Sequence, residues 1–128
     1  MYGKHLVLIA ASIAITACSS HSSNLQVGAE QSYASLRDQR EAVRTVEVVD
    51  ALPQGASNVA PITSGRCHRS FVEGEPTEAM VVNDLRVAAY AQGADGIAEV
   101  KVTKESGLSR NCWYILNGSA KAFRLKAQ

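Results

Sequence analysis

Three cysteines are the residues of this chain whose chemistry depends most on their surroundings. Cys18 follows a long apolar run, Cys67 is followed by His68, and Cys112 is followed by Trp113. A cysteine pair can close a disulfide, remain as two buried thiols, or bind a metal together with other ligands. Structural zinc takes four ligands, and only Cys67, His68 and Cys112 are candidates here. The redox compartment of the chain decides between these alternatives.

Residues 1–17 predict an export signal. Lys4 gives a basic start, and residues 6–15 form an apolar run of about ten residues, which is too short to span a bilayer. The run ends in Ile15-Thr16-Ala17-Cys18, which resembles the lipobox of bacterial lipoproteins. That resemblance implies cleavage before Cys18 and acylation of Cys18, which would anchor the chain stably in a membrane. The serine after Cys18 implies sorting to the outer membrane, and the alternative is an ordinary secretory leader.

Export favours a disulfide between Cys67 and Cys112. With Cys18 acylated, these two form an even pair in an oxidising compartment, where disulfides persist. In the chain-entropy model, closing a loop of about 45 residues stabilises a fold by roughly 4 kcal/mol. The alternatives are two buried thiols or part of a metal site. We expect the disulfide, and we expect neither a metal nor a cofactor.

Such a disulfide would bring basic side chains close to aromatic ones. The candidate partner-binding patch comprises Arg66, His68, Arg69, Arg110 and Trp113. Its positive charge suits an anion, such as a lipid phosphate, or an acidic face on another protein. The alternative is a solvated rim, with Trp113 or the neighbouring Tyr114 packed on the disulfide and with nearby glutamates balancing the charge.

The charge balance argues against nucleic acid as a partner. The chain has 13 basic and 12 acidic residues, and loss of Lys4 with the leader leaves the two signs equal in number. Nucleic-acid binding usually requires a clear excess of Lys and Arg on one surface. The mature part of the chain also lacks a second apolar run long enough to span a membrane.

Catalytic motifs do not occur in the sequence. Of the three histidines, His5 lies in the leader and His21 follows the lipobox, so that only His68 belongs to the expected domain. The sequence contains no nucleophile elbow, zinc-protease motif or phosphate-binding loop. We therefore predict a protein that is not an enzyme and that has no catalytic residues.

The chain divides into three parts. Residues 1–17 are the predicted lipoprotein signal peptide, residues 18–41 the lipidated cysteine with a flexible tether, and residues 42–128 the folded domain. The tether is assigned because residues 19–40 are polar and rich in Ser and Gln. A short helix over residues 33–41 is the alternative for its last part.

One helix followed by one strand is the strongest local signal. Residues 77–92 contain neither Gly nor Pro and carry an apolar stripe at helical spacing. Thr77 is suited to cap the start of this helix, and Gly93 is suited to end it. The strand over residues 97–103 then alternates, with Ala98, Val100 and Val102 predicted on the apolar face.

Four further strands complete the expected sheet. We predict strands over residues 43–49 and 59–63, with Pro61 at a sheet edge or a bulge. A hairpin is predicted from strands 112–116 and 119–125, because Asn117-Gly118 favours a tight turn. The resulting fold class is α+β, with a single helix packed on a mostly antiparallel sheet of about four to five strands and with one disulfide.

The order of these motifs resembles the RcsF family of outer-membrane lipoproteins. The resemblance rests on the lipobox, on Ser64-Gly65-Arg66-Cys67, on a helix running into Gly93-Ala94-Asp95-Gly96-Ile97, and on a Cys112 strand leading to Asn117-Gly118-Ser119-Ala120. It covers the leader and residues 43–123. Cys67 and Cys112 match one of the two disulfides of that family, and the tether lacks the prolines found there. The helix and the following strand are also similar to YbjQ-type small domains.

The resemblance implies a sensor of envelope stress that signals to the Rcs phosphorelay by protein–protein contact. The domain would face the periplasm and would contact outer-membrane β-barrel proteins and their assembly machinery. Under stress it would engage the periplasmic region of an inner-membrane Rcs regulator. The alternatives are an accessory or structural envelope lipoprotein and a small-ligand-binding domain of the same fold without Rcs coupling.

Overall fold

A computed structural model describes residues 25–26 and 34–126 of the chain. Its elements are β1 (Leu25–Gln26), α1 (Leu36–Thr45), β2 (Glu47–Val49), β3 (Ala56–His68), α2 (Glu78–Ala91), β4 (Gly96–Ser106), a 3-10 turn (Leu108–Arg110) and β5 (Tyr114–Leu125). The predicted signal peptide, Cys18 and the greater part of the predicted tether lie outside the described residues.

The strands form one mixed sheet in the order β1-β3-β5-β4-β2. The long strand β5 lies in the middle and pairs antiparallel with both β3 and β4. The short β1 adds an antiparallel pair to the end of β3, whereas β2 runs parallel to β4. The helices and the sheet belong to one unit, which confirms the predicted α+β class. The sheet is mostly antiparallel, as predicted.

Helix α2 follows the sequence prediction closely. The side chain of Thr77 accepts a hydrogen bond from the backbone N–H of Met80, at 3.3 Å, which satisfies one donor of the first turn. At the other end Gly93 has a φ of +71°, the left-handed conformation that glycine adopts without steric cost. Local capping signals therefore define both ends of this helix.

Helix α1 is an addition to the predicted single helix, and it replaces the first half of the strand expected over residues 43–49. Ser35 caps α1 by accepting a hydrogen bond from the N–H of Asp38, at 3.1 Å. Ala42 is fully buried, and Arg86 of α2 donates a hydrogen bond to the Val43 carbonyl at 3.2 Å. Packing on α2 thus outweighs the β propensity of Val43 and Thr45, and α1 crosses the predicted boundary between residues 41 and 42.

The predicted hairpin about Asn117-Gly118 is wrong, because β5 runs through both residues as one strand. Asn117 and Gly118 pair with Gly65 and Ser64 of β3 and with residues of β4 on the other side. The absence of a side chain at Gly118 allows β5 to pack closely on α2, because a Cβ there would clash with Val81. Strand pairing on both sides overrides a turn signal that is favourable only locally.

A bulge in β4 changes the predicted apolar face of that strand. Glu99 has a φ of +54°, and the register with β5 shifts between Ala98 and Lys101. Ile97 and Val100 consequently both contact the main core, although strict alternation would place them on opposite faces. The expected grouping of Ala98 with Val100 is therefore wrong at this point.

The core lies between α2 and one face of the sheet. Its buried members are Val46, Ile62, Leu85, Ala89, Ile97, Ala120 and Ala122. A smaller cluster consists of Cys67, Cys112 and Ile115. Residues 62 and 67 of β3 are an odd number apart in a regularly paired stretch, so the two clusters lie on opposite faces of the sheet. Among the described residues, neither helix is long and apolar enough to cross a membrane.

Candidate functional site

The disulfide lies at the end of the sheet where β3 finishes and β5 begins. Cys67 and Cys112 are bonded, their Cα atoms are 5.6 Å apart, and both side chains are buried. Gly107 packs directly against the bridge, since a Cβ there would come within 2.5 Å of the Cβ of Cys112. The predicted pairing is confirmed, and it joins the end of β3 to the segment before β5.

An exposed aromatic surface lies beside this disulfide. We define the aromatic surface as Phe71, Val72 and Trp113, whose exposed fractions are 78%, 82% and 52%. The rings of Phe71 and Trp113 are in contact, with centroids 5.6 Å apart. Apolar side chains of this size are usually withdrawn from water, and a cluster of them on the surface is typical of a protein–protein contact.

The backbone fixes this surface to the disulfide. The N–H of Trp113 donates a hydrogen bond to the carbonyl of His68 at 2.8 Å, directly next to the Cys67–Cys112 bond. The backbone of Trp113 is therefore fixed to the end of β3. A rigid aromatic anchor loses little conformational entropy on binding, which favours its use in recognition.

His68 is an internal support of the aromatic surface. Its ring is 4% exposed and lies between Trp113 and Tyr114, with centroid distances of 5.8 and 4.9 Å. Its Nδ1 atom is buried without a hydrogen-bond partner among the described residues. His68 thus belongs to the candidate site by position, but it is too buried to contact a partner directly.

Arg66 lies on the face of the sheet that α2 covers. Its guanidinium donates hydrogen bonds from Nε and Nη2 to the two carboxylate oxygens of Asp84 in α2, at 2.6 and 2.7 Å. The arginine side chain is 22% exposed and the aspartate side chain 10%. This bidentate pair neutralises Arg66 and ties β3 to α2.

Arg69 and Arg110 are both exposed, but they have different neighbours. Arg69 directly follows His68 at the end of β3, whereas Arg110 lines an open pocket of about 400 Å³ on the sheet face away from α2. Lys101, Thr103 and Glu105 of β4 line the same pocket. The five residues of the predicted patch are thus not gathered on one surface: Trp113 and His68 meet, whereas Arg66 pairs with Asp84 of α2 and Arg110 lines the pocket on the face away from α2.

Tyr114 completes the support beneath the aromatic surface. Lys104 lies over its ring, with Nζ 3.8 Å from the centroid. Burial raises the pKa of the Tyr114 hydroxyl, and the nearby Glu75 raises it further by its charge and by a hydrogen bond. The hydroxyl therefore stays neutral at physiological pH.

Phe71 and Val72 were not among the residues predicted from the sequence. The available signal is two consecutive large apolar residues in a polar loop just after a cysteine strand. Periodicity cannot show whether such residues turn inward or outward, because the loop has no regular period. Their exposure is a property of the fold.

Metal binding receives no support from the described residues, since no group of three or more His, Cys, Asp or Glu side chains converges among them.

No family model matches the chain, and comparison with curated proteins and with solved structures found no match.

Proposed function

We propose that this protein is an RcsF-like outer-membrane lipoprotein, which detects envelope stress and signals to the Rcs phosphorelay by protein–protein contact. The proposal combines the lipobox at Cys18, the order of the sequence motifs and the disulfide-bonded α+β domain. The single observation that carries the contact function is the aromatic surface, where three large apolar side chains are exposed beside the disulfide.

The aromatic surface is the proposed contact with the periplasmic region of the inner-membrane regulator. Interfaces are enriched in Trp and Phe at their centres, and truncation of such residues often costs more than 2 kcal/mol of binding free energy. The exposed Arg69, which lies two residues before Phe71, would form the polar rim. Outer-membrane β-barrel proteins and their assembly machinery are the proposed partners of the resting state.

The proposal is tested by site-specific crosslinking in living cells. A photoreactive residue at Val72, which is 82% exposed, should capture the inner-membrane regulator when the outer membrane is damaged. The matched control is the exposed Gln54, which lies in the turn before β3, outside the aromatic surface. Equal capture of the regulator from both positions would count against a specific contact.

Signalling gives a second test. The double variant Phe71→Ala/Trp113→Ala should lose the response of an Rcs reporter to lipopolysaccharide damage, while the amount of protein in the outer membrane stays the same. Deletion of the whole protein should abolish the response as well. An unchanged reporter response after deletion would contradict the Rcs role and would favour an accessory envelope lipoprotein.

A further inference from the structure

The outer edge of β4 is largely uncovered. β2 pairs only with Gly96–Ala98, and the bulge at Glu99 ends that pairing. Residues 100–106 continue the strand, paired with β5 on one side and with no other strand of the described chain on the other. Each unpaired edge offers a row of backbone N–H and C=O groups that another strand can bind.

The side chains along this edge carry a symmetric charge pattern. Lys101 and Glu105 lie two residues before and two residues after Thr103, and all three are exposed. They line the pocket on the sheet face away from α2, so they point to the same side. A strand with this pattern is complementary to an antiparallel copy of itself centred on Thr103.

In that register every cross-strand pair is compatible. Lys101 of each copy lies opposite Glu105 of the other, and Thr103 lies opposite Thr103. On the other face the half-buried Val102 lies opposite Lys104, whose aliphatic stem can cover it. Opposite charges in directly facing positions stabilise a strand pair.

Neighbouring registers are worse. Centring the pair on Lys101, Lys104 or Glu105 sets two like charges directly opposite each other, which destabilises a strand pair. Centring it on Val102 sets Glu99 of one copy opposite Glu105 of the other. The lysines that commonly protect a free edge therefore permit one self-pairing and oppose the others.

We propose that this protein forms a homodimer in which the β4 strands of two copies pair antiparallel about Thr103. The two sheets join into one continuous sheet with its two-fold axis perpendicular to the strands at that residue. The polar pockets of both copies then lie on the same face, on either side of the axis.

Disulfide trapping in the full chain tests the register. In an antiparallel pair, facing Cα atoms are about 4.5 or 5.5 Å apart, and both distances suit a disulfide. The variant Thr103→Cys should therefore give a crosslinked dimer on a non-reducing gel. Lys101→Cys should not, because the two copies of residue 101 would be about 13 Å apart along the strands. The unchanged chain measures the background from the native cysteines.

A charge exchange provides an independent test by light scattering of the purified full chain in detergent. Lys101→Glu replaces two attractive pairs by two repulsive ones, so the dissociation constant of the dimer should rise by about tenfold or more. Lys101→Glu/Glu105→Lys should restore the original value, because the pairs are then reversed. Circular dichroism confirms that each variant is folded.

Three results would overturn the proposal. The first is a monomeric mass for the unchanged chain at all concentrations up to the millimolar range. The second is crosslinking of Lys101→Cys as efficient as that of Thr103→Cys, which indicates random collision or another register. The third is a crosslink from position 103 to a different protein, which assigns the edge to a partner chain.

Discussion

The guanidinium of Arg66 donates two hydrogen bonds, of 2.6 and 2.7 Å, to the two carboxylate oxygens of Asp84. Arg66 comes from β3 and Asp84 from α2, so this contact connects the sheet to its main helix. It also removes Arg66 from the surface on which the sequence predicted a basic patch. Arg66, which the sequence predicted as part of a binding patch, thus connects the sheet to α2 instead.

Removal of the acidic partner should destabilise the fold. Asp84→Ala removes the carboxylate that accepts two hydrogen bonds from the largely buried Arg66 guanidinium, and we expect a loss of about 2–3 kcal/mol in the free energy of unfolding. Urea unfolding followed by circular dichroism measures this. The matched control is Glu41→Ala, which breaks the exposed pair between Glu41 and Arg44 and should cost less than about 0.5 kcal/mol. Equal losses in both variants would contradict the structural role of Asp84.

Removal of the disulfide should have a larger effect. The bond links residues that are 45 positions apart in the sequence, and Cys67→Ala/Cys112→Ala should lower the free energy of unfolding by about 2–5 kcal/mol. Exposure of Trp113 should rise as well, since its support next to the bond is loosened. Unfolding curves together with acrylamide quenching of the single tryptophan measure the two effects. An unchanged midpoint of unfolding would show that the bond does not clamp the fold.

Substitution of Gly118 distinguishes a strand interior from a turn. Gly118→Ala places a methyl group against Val81 and within 3.1 Å of the Leu85 side chain, and we expect a loss of about 1–3 kcal/mol. The neighbouring Ser119→Ala, on the exposed face, should change stability by less than about 0.5 kcal/mol. Equal stability of both variants would contradict the close packing of Gly118 in β5 against α2.

Alkaline pH should weaken the fold through Tyr114. Burial first, and Glu75 second, raise the pKa of its hydroxyl in the folded chain. The folded chain therefore holds this proton more firmly, and the stability that depends on it is complete below about pH 10 and falls as the pH rises further. Tyr114→Phe should show a smaller decline, measured as the free energy of unfolding from about pH 8 to about pH 11. Tyr90→Phe serves as the control, and an identical decline in both variants would contradict this assignment.

Local signals were sufficient where a segment carried its own start and end. Helix α2 was predicted nearly to the residue, because Thr77 and Gly93 cap it through contacts within the segment itself. The disulfide was also predictable, since counting cysteines leaves few alternatives once export is assumed. The aromatic surface was found only in part, through Trp113.

Local sequence signals predict the wrong element where contacts with distant segments favour a different one. Val43 and Thr45 favour a strand by propensity, but burial of Ala42 against α2 places them in a helix. Asn117-Gly118 favours a turn, but β3 and β4 continue past it on both sides and keep the chain extended. In each case the deciding free energy comes from residues far away in the sequence.

The α+β class, the capped helix α2 and the Cys67–Cys112 pairing can be predicted from the order of the residues, because capping and periodicity act over short distances and cysteines can be counted. The contact of Arg66 with Asp84 and the exposure of Phe71 and Val72 depend instead on how the folded elements pack together. A side chain's direction depends on which sheet face its residue occupies and on what packs there. Those two facts follow from strand register and helix position, which the whole chain settles together.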